Sequence, residues 1–580
     1  MLPLTRITPT AETRWNILPA SATESSAIAG SYGLHPVVAR ILAARGWIMG
    51  STGLGEFMAP VLKLLRSPFE LGGMEAAVER TTRAIANREK ICIFGDYDVD
   101  GVTSTALLWG TLRKLGVTAR VVIPHRIQDG YGMNVARVEE IARDGITLIL
   151  TVDTGVTAVE PIRRARELGV DVVVTDHHLA GDALPEAAAM VNPNNADDYY
   201  EHGRLCGVGV AFKFAHALLK RSDLPEAESR RFLMDQLDLV ALGTIADVVP
   251  LLAENRVLAR HGLDALVATK RPGLRALIEI AGLAGRLATA EFVGFGLGPR
   301  LNAAGRTDDA RLAFDLLTTT DPAEATRLAK HLDHLNRERR TIEDEILTAS
   351  IDEAETIMTG EACHALVVGG EGWHLGVVGI VASRLTERYA VPAIVLAIDN
   401  GLAKGSARSV PGFDIHEALS ACGSCLVAFG GHAAAAGLRL EVSSLPRFRR
   451  ELNEHAGGVF SRLDRTRTID VDAEVNSGDV TWELLNDIRR LEPFGSQNPP
   501  PLFLMRGVRA AAPPRIVGRN HLRMKLGQGD RSFNSIGFSL GHLKPAFEGG
   551  EMDILFRPKE NEFNGTRSLE LELVDGRPSR

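Results

Sequence analysis

The sequence predicts an α/β protein in three parts: a parallel sheet with an acidic crevice, a smaller α/β domain reached through a long helix, and a small β-barrel. Three observations predict it. Between about residues 85 and 180 short β-branched runs alternate with amphipathic stretches, the pattern of βαβ units on a parallel sheet. From Pro322 to about Thr359 the chain is charged and free of Pro and Gly after Pro322, which reads as a long solvated connector helix. Beyond residue 468, short strands punctuated by Gly, Pro and Asn (PPPLF, PPRIVGRNHLRMKL, FNSIGFSL, EMDILFRP, TRSLELELVDG) have the spacing of a Greek-key barrel of the OB-fold kind.

Taken in order, the run Ile91 to Phe94 ends in GDYDVDG and is followed by a helix over Val102 to Leu115. Ala119 to Ile123 precedes a helix around Val135 to Arg143; Leu148 to Val152, a helix near Val159 to Leu168, and Val170 to Val174 complete the alternation. Residues 208 to 350 read mostly helical. Ala365 to Val368 and Ala393 to Ile398 flank a helix near Gly376 to Tyr389, a second α/β domain. The expected division is an N-terminal segment (1–85) packed on the catalytic core, a sheet domain (86–320), a connector (321–358), the second α/β domain (359–467) and the barrel (468–580).

Composition narrows the class. At 580 residues, 45% hydrophobic and 24% charged, the chain is a multidomain globular protein, and no run reaches the ~18 apolar residues of a membrane span. Its start shows no charged segment followed by an apolar core, so no signal peptide is expected. Five cysteines fit a reducing, cytoplasmic location. A net charge of −8 argues against indiscriminate coating of nucleic acid and leaves room for a local basic channel.

The chemistry concentrates at strand ends. GDYDVDG spaces Asp96, Asp98 and Asp100 two apart, on one side of an extended chain; an acidic turn with a helix cap is the ordinary reading of such a motif. TVDTG then puts Asp153 after the third strand, TDHH puts Asp176, His177 and His178 after the fourth, and GTIADVVPL puts Asp247 after another apolar run. Ligands of open α/β sheets bind at the carboxyl ends of strands, so these groups are expected in one crevice. Carboxylates at that density need cations. Aspartate oxygens with one or two imidazoles suit Mn²⁺ or Mg²⁺ better than Zn²⁺, and two such ions are the apparatus of phosphodiester hydrolysis.

GDYDVDG, TVDTG, TDHH and GTIADVVPL together resemble the DHH phosphoesterase superfamily. GPRLNAAGR, GWHLGVVGIVASR, GSARS, GGHAAAAG and LEPFGSQNPPPLF extend the resemblance, nearly end to end, to RecJ-type single-stranded-DNA exonucleases. The resemblance implies a DHH domain, a DHH-associated substrate-binding domain and an OB-fold-like domain. It implies a 5′→3′ exonuclease releasing nucleoside 5′-monophosphates in DNA repair and recombination, at a crevice between the first two domains. It further implies ligation of Mn²⁺ or Mg²⁺ by Asp98, Asp100, Asp153, His177 and Asp247, with His178 beside the site and Asp96 and Asp176 as supporting carboxylates. By the same resemblance Arg126, Ser406 and Arg408 measure the 5′ end, Arg306 contacts a phosphate, and single-strand-binding protein and a helicase are partners. One departure is Phe94, where smaller relatives carry a histidine ligand. Those relatives (nano-RNases, cyclic-dinucleotide phosphodiesterases) are shorter and lack the barrel; inactive replication scaffolds of this fold lose the ligands kept here.

Other residues have two readings. His432, between glycine and alanine, reaches a phosphate or sits satisfied in a core. Trp373 and His374 precede a glycine that opens a helix, a phosphate cradle or core packing. Cys422 and Cys425 form a lone C-x-x-C, read as incidental. Arg519, His521, Arg523 and Lys525 alternate along a strand as a basic stripe, with Phe503 available for stacking.

Overall fold

The structure is a computed structural model that describes residues 13–126, 128–130, 132–195, 200, 204–359, 362–463, 468–518, 520–563 and 565–579. They form two compact units. One holds residues 55–339 together with Glu492–Pro499; the other holds the residues up to Leu54, Arg340–Leu491 and those from Pro500 onward.

The first unit is built on five parallel strands: β1 (Ile91–Phe94), β2 (Arg120–Val122), β3 (Leu148–Val152), β4 (Asp171–Thr175) and β5 (Ala189–Val191). Their order is β2-β1-β3-β4-β5, so the topology reverses between β1 and β3. Every residue of β1 and β3 is buried, as expected of central parallel strands covered on both faces. Ligands of such sheets bind at the carboxyl side of this switch point, where GDYDVDG and TVDTG stand. The expected helices are present: α1 (Val99–Lys114), α2 (Val135–Arg143), α3 (Val159–Glu167), then a helical layer that includes α4 (Gly207–Lys220), α5 (Leu237–Ala246) and α6 (Gly298–Thr307). Strand β5 was not expected. It is a three-residue edge in the alanine-rich PEAAAMVNPNN, too short to show a period.

The connector is a single helix, α7 (Pro322–Met358), of 37 residues. In the second unit β6 (Leu366–Glu371), α8 (Leu375–Tyr389) and β7 (Ala393–Asp399) form a parallel βαβ unit. The sheet continues antiparallel through β8 (Leu402–Arg408), β9 (Ala428–His432) and β10 (Ala435–Glu441), in the order β9-β10-β8-β7-β6. Then β11 (Phe503–Ala510), β12 (His521–Gln528), β13 (Arg531–Gly537), β14 (Met552–Phe563) and β15 (Thr566–Pro578) close a five-stranded barrel. Pairings run β11-β12-β13-β15-β14-β11, with β13 and β15 parallel, the Greek-key arrangement of an OB-fold.

The segment before residue 86 does not behave as one piece. Residues from Gly55 on group with the β1–β5 sheet, but those up to Leu54 group with the other unit. There Arg14–Ile17 pairs in parallel with Thr468–Val471, and Arg45 makes two bonds to Asp472, at 2.7 and 3.0 Å. No helix among the described residues is long and apolar enough to cross a membrane.

Candidate metal centre

Asp98 serves the ordinary capping role: its Oδ1 accepts the Gly101 N–H at 3.0 Å, so α1 starts three residues earlier than expected. That start also separates the three carboxylates expected on one side. Asp96 and Asp98 lie in the turn, where one oxygen of each comes within 4.8 Å of an Asp153 oxygen. Asp100, in the first turn of α1, is grouped at the same distance with His177 and Asp247. Asp153, Asp100 and Asp96 are buried.

Two helices press on these carboxylates. The first N–H groups of α4, from Gly207 and Val208, donate to Asp100 at 2.6 and 2.8 Å, a helix N-terminus facing an anion. A Cβ on Gly207 would lie 2.5 Å from Asp153 Oδ1, and one on Gly243 of α5 2.6 Å from Asp100 Oδ1, so both positions exclude side chains. Asp153 itself is left-handed (φ 60°), its N–H bonded to the Thr175 carbonyl at 3.0 Å. Asp247 ends helix α5 instead of following a strand, which corrects the expected placement while keeping the residue in the cluster. The next residue, Val248, is exposed and also left-handed (φ 62°), a strained conformation for a β-branched side chain.

His177 Nε2 stands 3.0 Å from Asp153 Oδ1, 3.6 Å from Asp247 Oδ2 and 3.7 Å from Asp100 Oδ2. His178 stays beside the cluster: its Nδ1 is bonded to Asp176 Oδ1 at 2.8 Å, and one of its ring nitrogens lies within 4.8 Å of both an Asp153 oxygen and a His177 nitrogen. Asp176 is fixed in turn by the backbone N–H groups of His177 (2.7 Å), Val156 (2.9 Å) and His178 (3.2 Å).

Burial, and then neighbouring carboxylates, holds the carboxyls of Asp96 and Asp153 well above the usual range and raises Asp100 to about 7 and Asp247 to about 9. Burial, aided by His178, pushes His177 down to about 4, so its imidazole is neutral and available as a ligand. For His178 burial opposes the charge, but the Asp176 bond outweighs it and lifts the group to about 9. Asp176 is lowered: its bond to His178 overcomes burial.

Asp96 Oδ1, Asp153 Oδ1 and His177 Nε2 are buried and accept or donate no hydrogen bond. Orphaned oxygens beside a neutral imidazole nitrogen are costly in a fold unless a cation completes them. The donor set, carboxylate oxygens with one imidazole, fits Mn²⁺ or Mg²⁺. Phe94 is fully buried in an apolar cluster with Ile149 and Val174 and acts as core.

Of the expected substrate residues, Arg126 and Arg306 lie in this unit. The Arg126 guanidinium sits 3.9 Å above the Tyr97 ring, and Arg306 is in the last turn of α6. In the other unit, Ser406 and Arg408 leave the same face of β8. A Cβ on Gly379 of α8 would lie 3.1 Å from an Arg408 Nη and 3.3 Å from Ser406 Oγ, so the two side chains converge there. His432, at the end of β9, is exposed, not a core histidine. His374 caps α8 through Nδ1 to the Gly376 N–H (3.1 Å), and Trp373 packs against the apolar cluster beneath. Cys422 and Cys425 are buried in core. Arg523 and Lys525 are exposed on β12 and alternate with buried Leu522, Met524 and Leu526, while Arg519 lies outside the described residues.

Sequence reasoning missed the amides. Asn192 Nδ2 donates to the His178 carbonyl at 2.8 Å, Asn194 bonds the His177 carbonyl, and Asn302 Oδ1 accepts the Val99 N–H at 3.0 Å. An uncharged amide announces nothing by itself; NPNN after a short strand was the available signal.

A carboxylate and imidazole cluster at the switch point of a parallel sheet defines a DHH-type domain. Residues 90–244 match the model of the DHH family, N-terminal domain; residues 360–457 match the DHHA1 domain and 471–575 the RecJ OB domain. The single-stranded-DNA-specific exonuclease RecJ of Bacillus subtilis is 40% identical over 567 residues, covering 97% of this chain and 70% of its own. The crystal structure of RecJ from Thermus thermophilus in complex with Mn²⁺ superposes with a TM-score of 0.84 at 31% identity, covering 98% of this chain and 80% of that one. Its Mg²⁺ complex gives 0.75 at 30% identity, covering 98% and 79%. The chain belongs to the RecJ family of single-stranded-DNA-specific exonucleases.

Proposed function

We propose that the protein is a divalent-cation-dependent 5′→3′ exonuclease that degrades single-stranded DNA to nucleoside 5′-monophosphates, serving DNA repair and recombination in the cytoplasm. The observation that carries this is the convergence of Asp100, Asp153, Asp247 and His177, with buried donor atoms left unpaired, in a chain of this family. Asp98, Asp100, Asp153, His177 and Asp247 hold Mn²⁺ or Mg²⁺, two ions by the charge they must offset. Ions bound there acidify water and neutralise charge on the phosphate.

The protein's own groups orient the reaction. Asp96 and Asp176 support the ligands. Asp176 fixes His178 through Nδ1 and keeps it protonated, so Nε2 is a charged donor for a phosphate oxygen. Arg126 and Arg306, and in the other unit Ser406, Arg408 and His432, bind the strand's phosphates; the planar guanidinium fork suits that task. Arg126, Ser406 and Arg408 are assigned the terminal 5′-phosphate. Single-strand-binding protein and a helicase are the expected partners.

The test is a time course on single strands labelled at either end, with and without Mn²⁺. Release of labelled mononucleotide from the 5′-labelled strand at the first time points, only with the cation, is expected. Early release from the 3′ label, or full activity after exhaustive chelation, would overturn the reading.

A further inference from the structure

Tyr97 sits between Asp96 and Asp98 in the carboxylate loop and is a large buried aromatic. Its ring carries the Arg126 guanidinium, 3.9 Å from the ring centroid. Arg126 is gripped a second time: its Nε donates to the Gly305 carbonyl of α6 at 3.1 Å. Gly305 also lies against the loop itself, because a Cβ there would stand 2.4 Å from the Tyr97 carbonyl oxygen. Three residues earlier on the same helix, Asn302 accepts the N–H of Val99, the residue between Asp98 and Asp100. One face of α6 therefore touches both the carboxylate loop and the arginine.

We propose that Tyr97 is a positioning residue that, with the Asn302–Gly305 turn of α6, ties the 5′-phosphate-reading Arg126 to the cation-holding loop, so that the terminal phosphate and the reacting phosphate are registered by one rigid piece. A guanidinium stacked on a ring and bonded through Nε has lost most of its rotamer freedom before substrate arrives, and its Nη atoms are the ones left to meet a phosphate. Such pre-organisation strengthens binding by removing an ordering cost, without adding a contact. Gly305 and Asn302 fix the distance between reader and loop.

The proposal rests on the reading of Arg126 as a phosphate reader, and the experiment separates the two. The measured quantity is the ratio of kcat/KM on 5′-phosphorylated over 5′-hydroxyl strands, in the full chain with Mn²⁺. Arg126→Ala should lower that ratio, and Tyr97→Leu should lower it about tenfold, the loss of one good cation–π placement. Tyr97→Phe, which keeps the ring, should restore it. The double variant Arg126→Ala/Tyr97→Leu should fall no further than Arg126→Ala alone, because the ring acts through the arginine. If Tyr97→Leu does not fold, Tyr97→Met, of closer volume, takes its place. Mn²⁺ affinity, read by electron paramagnetic resonance, is the second readout. A ratio that falls together with Mn²⁺ affinity would make Tyr97 a support of the loop only and would overturn the proposal. An unchanged ratio in Tyr97→Leu, with a lowered one in Arg126→Ala, would overturn the positioning role alone; an unchanged ratio in Arg126→Ala would overturn the reading of Arg126 and the proposal with it.

Discussion

His177 Nε2 and Asp153 Oδ1 stand 3.0 Å apart, both buried, and neither hydrogen-bonds the other or any other group. The imidazole is held neutral and the carboxyl is pushed far up by burial and by Asp100. An imidazole nitrogen and a carboxylate oxygen facing each other at that distance are a donor set that a divalent cation would satisfy.

The first consequence is a pH-dependent stabilisation by Mn²⁺. Carboxyls with raised folded-state values bind protons that the unfolded chain releases above about pH 4. Their contribution to cation-free stability is complete below that pH. It is lost as the pH climbs through Asp100's value of about 7 and Asp247's of about 9. Cation binding displaces those protons, so the gain from Mn²⁺ grows with pH. Thermal melting should show a larger Mn²⁺-induced shift at about pH 9 than at about pH 6; at a free concentration near 100 times Kd the gain is about 2.7 kcal/mol. An equal shift at both pH values would count against the buried carboxyls as ligands.

Asp153→Asn separates chemistry from fold. Asparagine tolerates the left-handed backbone at this position and removes a costly buried charge. The variant should melt no lower than the wild type in chelator, hydrolyse single strands negligibly, and retain their binding, which comes mainly from basic and stacking contacts. Gel-shift and turnover assays on one preparation check both halves.

Stability should depend on a buried pair remote from the carboxylates in sequence. Lys213 of α4 is fully buried; its Nζ bonds Glu254 at 2.5 Å and the Arg66 carbonyl at 2.8 Å, and Tyr200 bonds Glu254 from the other side. Lys213→Met leaves Glu254 buried without its cation and should cost about 3–5 kcal/mol in denaturant unfolding.

The barrel is expected to supply grip. Removing everything after residue 467 is a poor test, because it would strip Arg14–Ile17 of its pairing strand and Arg45 of Asp472. Arg523→Ala/Lys525→Ala leaves the fold alone, since both side chains are exposed. If both contact phosphates, the slope of log affinity against log salt should shrink by about 1.4 on long single strands, at about 0.7 per contact. An unchanged slope would assign the stripe to solvation.

Much of this was legible in the sequence for a physical reason. GDYDVDG, TVDTG and TDHH concentrate charge where strands of an open sheet end, and that placement is costly without a ligand. Asp247 was legible as a residue but not as a place, since an apolar run before an aspartate looks the same at a strand end and at the end of buried helix α5. Strand β5 and the amides behind the histidine pair were not legible, one for its length and the others for lack of charge. Nor was the partner of Arg14–Ile17, which lies 454 residues away in the chain and leaves no local trace.

The central claim is that Asp153 and His177, with Asp98, Asp100 and Asp247, hold the divalent cation. Its most direct measurement is a Mn²⁺ titration followed by electron paramagnetic resonance, on the full chain stripped of metal, for wild type and Asp153→Asn side by side. The account predicts tight binding by the wild type and a loss of about 100-fold or more in the variant, with single-strand affinity retained. Equal Mn²⁺ affinity in the two folded proteins would contradict it.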